Sequence, residues 1–218
     1  MQGQQVTVQG IVTLIQKDKG LYVEELASDV DRYTSNALFI QSVNPADEIK
    51  PGTLIAVSGT VTEIGDERDP LTALTDITQL LPCSSGHTLP LTDVSLPLDG
   101  AGRESIEGMR IRINDSLVVT DVYQFDQGKF TLSANGFQYV ATEVMKPGPA
   151  TAGLLARNRA SALPVLLPES MESPVMLVSG TSVDHVQGIL AHDERGKRLT
   201  LQSISSFSTP QALCVSWA

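Results

Sequence analysis

Apolar and polar residues alternate with a period of two near the start of the chain. Val6, Val8, Gly10, Val12 and Leu14 interleave with Thr7, Gln9, Ile11, Thr13 and Ile15. Successive strand side chains point to opposite faces, so this spacing predicts a β-strand that turns apolar on both faces toward its end. Further strands are expected at Leu21–Val23, Ala37–Gln41, Leu54–Ile64, Arg110–Ile113, Leu117–Val122, Lys129–Ser133, Gln138–Val140, Val183–Ala191 and Leu199–Ile204. Turn signals separate them at Lys19-Gly20, Asn44-Pro45, Lys50-Pro51-Gly52, Gln127-Gly128, Asn135-Gly136 and Arg195-Gly196-Lys197. Thr151–Ala162, after Pro147 and Pro149, is the stretch that reads as helix. The expected class is all-β.

A short pattern recurs three times, as Val8–Val12, Val57–Val61 and Val186–Leu190, each with a central glycine. A glycine inside a strand marks a sharp bend or the close approach of another backbone, as at a barrel corner. Pro, Ser and Gly crowd the stretch from Leu81 to Gly102, which reads as a connector. The expected organisation is two tandem OB-like five-stranded barrels with one short helix in the second. They cover residues 1–82 and 104–208, joined by a connector at 83–103 and followed by a tail at 209–218.

Composition narrows the partners. The 218 residues are 41% apolar and 18% charged, enough for a core and too little charge for a disordered chain. The net charge is −10, against a strongly basic nucleic-acid binder and against a polybasic membrane anchor. Residues 1–100 carry 14 acidic against 5 basic side chains, and residues 101–218 carry 11 against 10. Any polyanion is therefore expected to touch the second half. Met1–Gln5 has no basic n-region, so no signal peptide is expected there, and the uncharged stretch Leu199–Ala218 holds too many hydroxyl and amide groups for a membrane helix.

Candidate chemistry is sparse. Ser182-Val183-Asp184-His185 places Ser, Asp and His together, but adjacent strand residues face opposite ways, so no Asp-oriented imidazole is expected. His185 and His192 are seven apart and fall on opposite faces of one strand, against a shared metal. Asp29 and Asp31, beside Glu24 and Glu25, form a weak calcium candidate that lacks the glycine such a loop uses. Gly65–Asp69 reads as a hairpin tip. Two cysteines, Cys83 and Cys214, rule out a disulfide-rich scaffold and leave their pairing open.

The order of these segments resembles a known family. Gln5–Leu14, Gly20–Val23 and Thr34–Ile40 are similar to the first OB-fold of large secreted bacterial nucleases. Ile49–Val61, Leu71–Ile77 and the Pro82-Cys83-Ser84-Ser85-Gly86 connector follow in the same order. Ser105–Arg112, Leu117–Tyr123, Gly128–Ser133 and Gly188–Gln202 resemble the second module. Asn36-Ala37, Gly52-Thr53 and Ala160–Pro164 depart from the family pattern. Relatives end in an endonuclease/exonuclease/phosphatase domain, whose divalent-cation ligands and His-Asp pair are absent here. The resemblance implies a non-catalytic accessory module of an extracellular or periplasmic nuclease, with no cofactor of its own. Its partners would be a nuclease catalytic domain, in cis or trans, and single- or double-stranded DNA, with no membrane. OB-folds hold single strands by stacking bases on aromatics within a basic groove. The residues offered for this are Arg110, Arg112, Tyr123, Lys129, Tyr139, Arg157, Arg159, Arg195, Lys197 and Arg198. The alternative is a structural spacer or protein-interaction module without nucleic-acid affinity, which the acidic first half and the 5% aromatic content favour.

Overall fold

β-Branched and aromatic residues at alternating positions pair into strands because a pleated, half-buried surface suits them. The computed structural model describes residues 2–25, 34–43, 45–67, 69–168, 177–193, 196–203 and 206–208. The protein is all-β with short helices. The first five strands are β1 (Gln5–Gln16), β2 (Gly20–Glu24), β3 (Ala37–Gln41), β4 (Leu54–Asp66) and β5 (Asp69–Ser84). They close into a barrel in the order β1-β2-β3-β5-β4. All neighbours are antiparallel except β3 and β5, which run parallel with Phe39 opposite Ala73.

The later strands are β6 (Thr92–Val94), β7 (Arg110–Ile113), β8 (Leu117–Gln124), β9 (Lys129–Ser133), β10 (Ala162–Leu166), β11 (Ser182–Asp184), β12 (Val186–Asp193), β13 (Gly196–Ser203) and β14 (Ser206–Ser208). They form one sheet of nine strands, not the five expected, in the order β14-β11-β8-β9-β10-β13-β12-β7-β6. The difference comes largely from breaks within strands. β7 and β8 are separated by Asn114–Ser116, and β11 and β12 by His185, which sits at φ 52°. With each broken pair counted as one strand, the pairing follows the cyclic order of the first barrel. β10 and β13 again supply the parallel pair, Val165 opposite Leu199.

Among the described residues, three α-helices punctuate the second half: α1 (Gly100–Glu104), α2 (Ala141–Val144) and α3 (Pro149–Ser161). α3 stops one residue short of the expected end, because Pro164 disfavours helical geometry before it, and Ala162 already pairs with Ser133 of β9. The strand expected at Gln138–Val140 is absent. Gly136 turns there at φ 73°, and the Gln138 amide donates to Ser133 Oγ and to the Asn158 carbonyl, which commits the segment to α3. β5 runs to Ser84, two residues into the expected connector.

By contacts the chain divides into two compact units that do not follow the linear halves. Unit 1 holds residues 1–92, 100–111 and 189–198, and unit 2 holds 93–99, 112–188 and 199–218. The interior of the first barrel is apolar, built on Val12, Leu21, Val23, Ile40, Ile49, Ile55, Val57 and Leu74. A second core in unit 1 joins Tyr22, Phe39, Leu71 and Ala73 to Ile189 and Ala191. Ile189 and Ala191 of β12 thus complete unit 1, covering apolar surface that the first five strands leave exposed. In unit 2 the buried side chains include Ile113, Leu117, Val119, Phe130, Leu132, Leu163, Val165 and Leu201.

Candidate functional site

Most of the basic residues in the β12–β13 hairpin and β7 are engaged within the protein. In unit 1 the Lys197 side chain, 5% exposed, donates from Nζ to Asp69 Oδ1 at 2.6 Å and to Glu104 Oε2 at 2.8 Å. Its main-chain N–H donates to Asp69 Oδ2 at 3.2 Å, so one carboxylate grips both ends of the residue. Gly196 precedes it at φ 110°, and a Cβ there would lie 2.6 Å from Asp69 Oδ2. Burial alone would depress the Lys197 ammonium, but the carboxylates of Asp69, Glu104 and Glu107 outweigh it and hold the ammonium charged well into alkali. Burial likewise opposes ionisation of Asp69, and Lys197 overcomes it, leaving that carboxyl below its usual range.

His192 and Glu107 complete the cluster. His192 Nε2 lies 2.9 Å from Glu107 Oε1 and 3.8 Å from Asp69 Oδ2, and Lys197 Nζ lies 3.4 Å from the same Glu107 oxygen. Neither Nε2 nor Oε1 makes a well-directed hydrogen bond in this arrangement. The His192 main-chain N–H donates to the Tyr22 hydroxyl at 2.8 Å, and burial lifts the Tyr22 phenol above its ordinary range. Glu24 is a second buried carboxylate in unit 1. Burial pushes it up to about 6, against the opposing pull of Arg110, whose main-chain N–H donates to Glu24 Oε2 at 3.0 Å.

These contacts engage several of the expected phosphate ligands within the protein. Lys197 is buried and neutralised by carboxylates. Arg198 Nε donates to Asp193 Oδ2 at 2.8 Å with both side chains 12% exposed. Arg110 donates from a guanidinium nitrogen to the Leu89 carbonyl at 2.8 Å. In unit 2, Arg112 forms a two-pronged pair with Asp93 at 2.7 and 2.9 Å, which holds that carboxyl below its usual range. Arg112, Lys197 and Arg198 thus pair with carboxylates, with which a phosphate would compete, while Arg110 is tied to a neutral main-chain carbonyl.

The remaining expected residues in the described chain lie in unit 2. Tyr123, on β8, is 90% exposed. Lys129 is half-buried on β9. Tyr139 sits in the insertion between β9 and β10, residues 134–161, with Arg157 and Arg159 exposed on α3 of the same insertion. The Phe137 and Tyr139 rings meet edge to face, centroids 5.1 Å apart and planes at 73°. The Asn158 side-chain amide donates to the Tyr139 carbonyl at 3.1 Å, so the aromatic segment is fastened to α3 between the two arginines. Val140, Val144 and Leu155 of the insertion are also exposed. Asp29, Asp31, Arg195 and Cys214 lie outside the described residues.

No protein-family model matches this chain, and no curated protein matches it.

Cys83 is an exposed free thiol, and next to it Ser84 Oγ shares a 2.6 Å hydrogen bond with His87 Nε2. Among the described residues, no group of three or more His, Cys, Asp or Glu side chains is placed to hold a metal ion, and no helix is long and apolar enough to cross a membrane. The His192–Glu107–Lys197–Asp69 cluster was not legible in sequence. Its members come from positions up to 128 residues apart, with no motif spacing to mark them.

Proposed function

We propose that the chain is a non-catalytic accessory β-barrel module that helps hold DNA for a nuclease domain, as its resemblance to secreted nucleases implies. The observation that carries this reading is the set of aromatic rings in unit 2 left outside the core: Tyr123 at 90% exposure, Tyr139 at 59% and Phe137 at 41%. A large ring left in water has no packing reason to be there, and bases supply the stacking partner it lacks. The exposed cations of α3 add attraction for phosphate. Titration of labelled DNA by fluorescence anisotropy at low salt, repeated as salt is raised, tests the reading. Binding that weakens with salt supports it, and absence of binding at low salt overturns it.

A second reading is a structural or protein-interaction module without nucleic-acid affinity. The carboxylate partners of Arg112, Lys197 and Arg198 favour it, since they neutralise charge that a phosphate would use. It predicts that a parent nuclease deprived of this module keeps its specific activity on DNA.

A further inference from the structure

We infer that the insertion between β9 and β10 is the seat for a single strand, whose unpaired bases stack on Tyr139 and Phe137 while Arg157 meets the backbone. This rests on the reading of the chain as a nucleic-acid-binding module, and it names where the strand lies and why a duplex does not fit.

Two independent properties of the insertion agree. The first is charge. Residues 134–161 carry Lys146, Arg157 and Arg159 against Glu143 alone, a local excess of +2 in a chain of net −10. Such a local excess favours an anionic partner over a neutral or basic one. The second is the arrangement of the rings. Phe137 and Tyr139 are two residues apart in a non-strand segment and touch edge to face, so each keeps ring surface turned to water. A stacked duplex offers no free base faces, and a single strand does.

The platform is also prefixed. Gln138, between the two rings, is tied by its amide to Ser133 Oγ at 2.8 Å and to the Asn158 carbonyl at 2.9 Å. Asn158 returns a hydrogen bond to the Tyr139 carbonyl, and the Asn135 amide is tied to Ser161 Oγ. The hydrogen-bonding side chains of the segment thus serve the fold and not base edges. Recognition by ring faces alone is tolerant of sequence. In unit 1 the Tyr22 and Phe39 rings are buried, packed with Ile189 and Ala191, and present no water-exposed ring face for stacking.

The test uses the full chain with a labelled oligothymidylate, a labelled duplex of the same length, and anionic phospholipid vesicles. The expected result is salt-dependent binding of the oligothymidylate, with the duplex bound at least ten-fold more weakly. Phe137→Leu/Tyr139→Leu is expected to weaken single-strand binding by about ten-fold or more while leaving the salt dependence unchanged. Arg157→Gln is expected to lower the slope of log affinity against log salt by about 0.7, the loss of one phosphate contact on a single strand. Tyr139→Leu alone keeps the test readable if the double variant unfolds, since that ring is 59% exposed. If single-strand binding survives all three variants undiminished, the seat is misplaced while the nucleic-acid reading stands. A duplex bound as tightly as the single strand overturns the inference in the same way. If the chain binds neither nucleic acid, or binds vesicles alone, both readings fall.

Discussion

Glu24 and Lys197 show how burial sets the cost of a charge. Both are drawn out of water, but Lys197 is surrounded by carboxylates while Glu24 has the Arg110 main-chain N–H as its close donor. The Glu24 carboxyl is raised from 4.5 to about 6, so the folded chain holds that proton more tightly than the unfolded chain. Its contribution to stability is full below pH 4.5 and is lost as pH rises through 6, by about 2 kcal/mol at one pH unit per 1.36 kcal/mol. Glu24→Gln keeps an acceptor for Arg110 and removes the ionisation. Urea unfolding of this variant is expected to show no loss between pH 4.5 and 7 from this site, and to exceed the parent's stability at pH 7. Asp69 acts in the opposite sense: its lowered carboxyl contributes stability above its ordinary range and loses it as pH falls. Lys197→Met leaves Asp69, Glu104 and Glu107 facing one another. Breaking a fully buried pair costs roughly 3–5 kcal/mol, but Asp69 and Glu104 keep water access at 40% and 50% exposure, so a loss of about 2 kcal/mol is expected in the same assay. Lys197 was not legible as a cluster member in sequence, because a lysine read alone is a surface cation until its fold brings acids to it.

The recurring Val-x-Gly pattern was legible, and so was its cause. At Gly10 a Cβ would lie 2.9 Å from Val23 Cβ, at Gly59 it would lie 2.7 Å from the Thr75 carbonyl oxygen, and at Gly188 it would strike the Thr200 carbonyl oxygen. In each case a neighbouring strand passes too close for any side chain, which is the bent-ribbon reading of a strand glycine. Gly59 also lies where the β4–β5 register shifts, between Ser58 and Thr60. Gly59→Ala and Gly188→Ala are each expected to lower stability by about 1–3 kcal/mol, measured by thermal unfolding. An alanine there must push aside main chain and not a flexible side-chain tip. Strand positions at Ala37–Gln41 and Lys129–Ser133 match their expected bounds, since alternation and β-branching agree there. Gln138–Val140 misled because Gln-Tyr-Val carries strand propensity, while a side-chain amide to Asn158 holds it elsewhere. Propensity over three residues is weaker than two directed hydrogen bonds.

The division of the chain into units follows burial and not sequence order. Ile189, fully buried, and Ala191 pack with Tyr22 and Phe39, 150 to 169 positions earlier in the chain. Residues 1–92 expressed alone are therefore expected to leave Tyr22, Phe39, Leu71 and Ala73 bare, to bind a hydrophobic dye and to unfold without a sharp transition. Addition of residues 100–111 and 189–198 on a suitable linker is expected to restore cooperativity. A fragment 1–92 that melts as sharply as the full chain would show the Ile189 and Ala191 contacts to be dispensable. Period-two alternation, turn chemistry and strand glycines act between near neighbours, so amino-acid order alone carried the all-β class, the strand glycines and the excess of acid in the first half. Partnership over long separations is a different matter, because no local rule links Asp69 to Lys197 or Ile189 to Tyr22. Folding in three dimensions chose which cations were neutralised inside, which rings stayed in water, and which segments completed the first barrel, since burial and charge pairing depend on distances that exist only after the strands have closed.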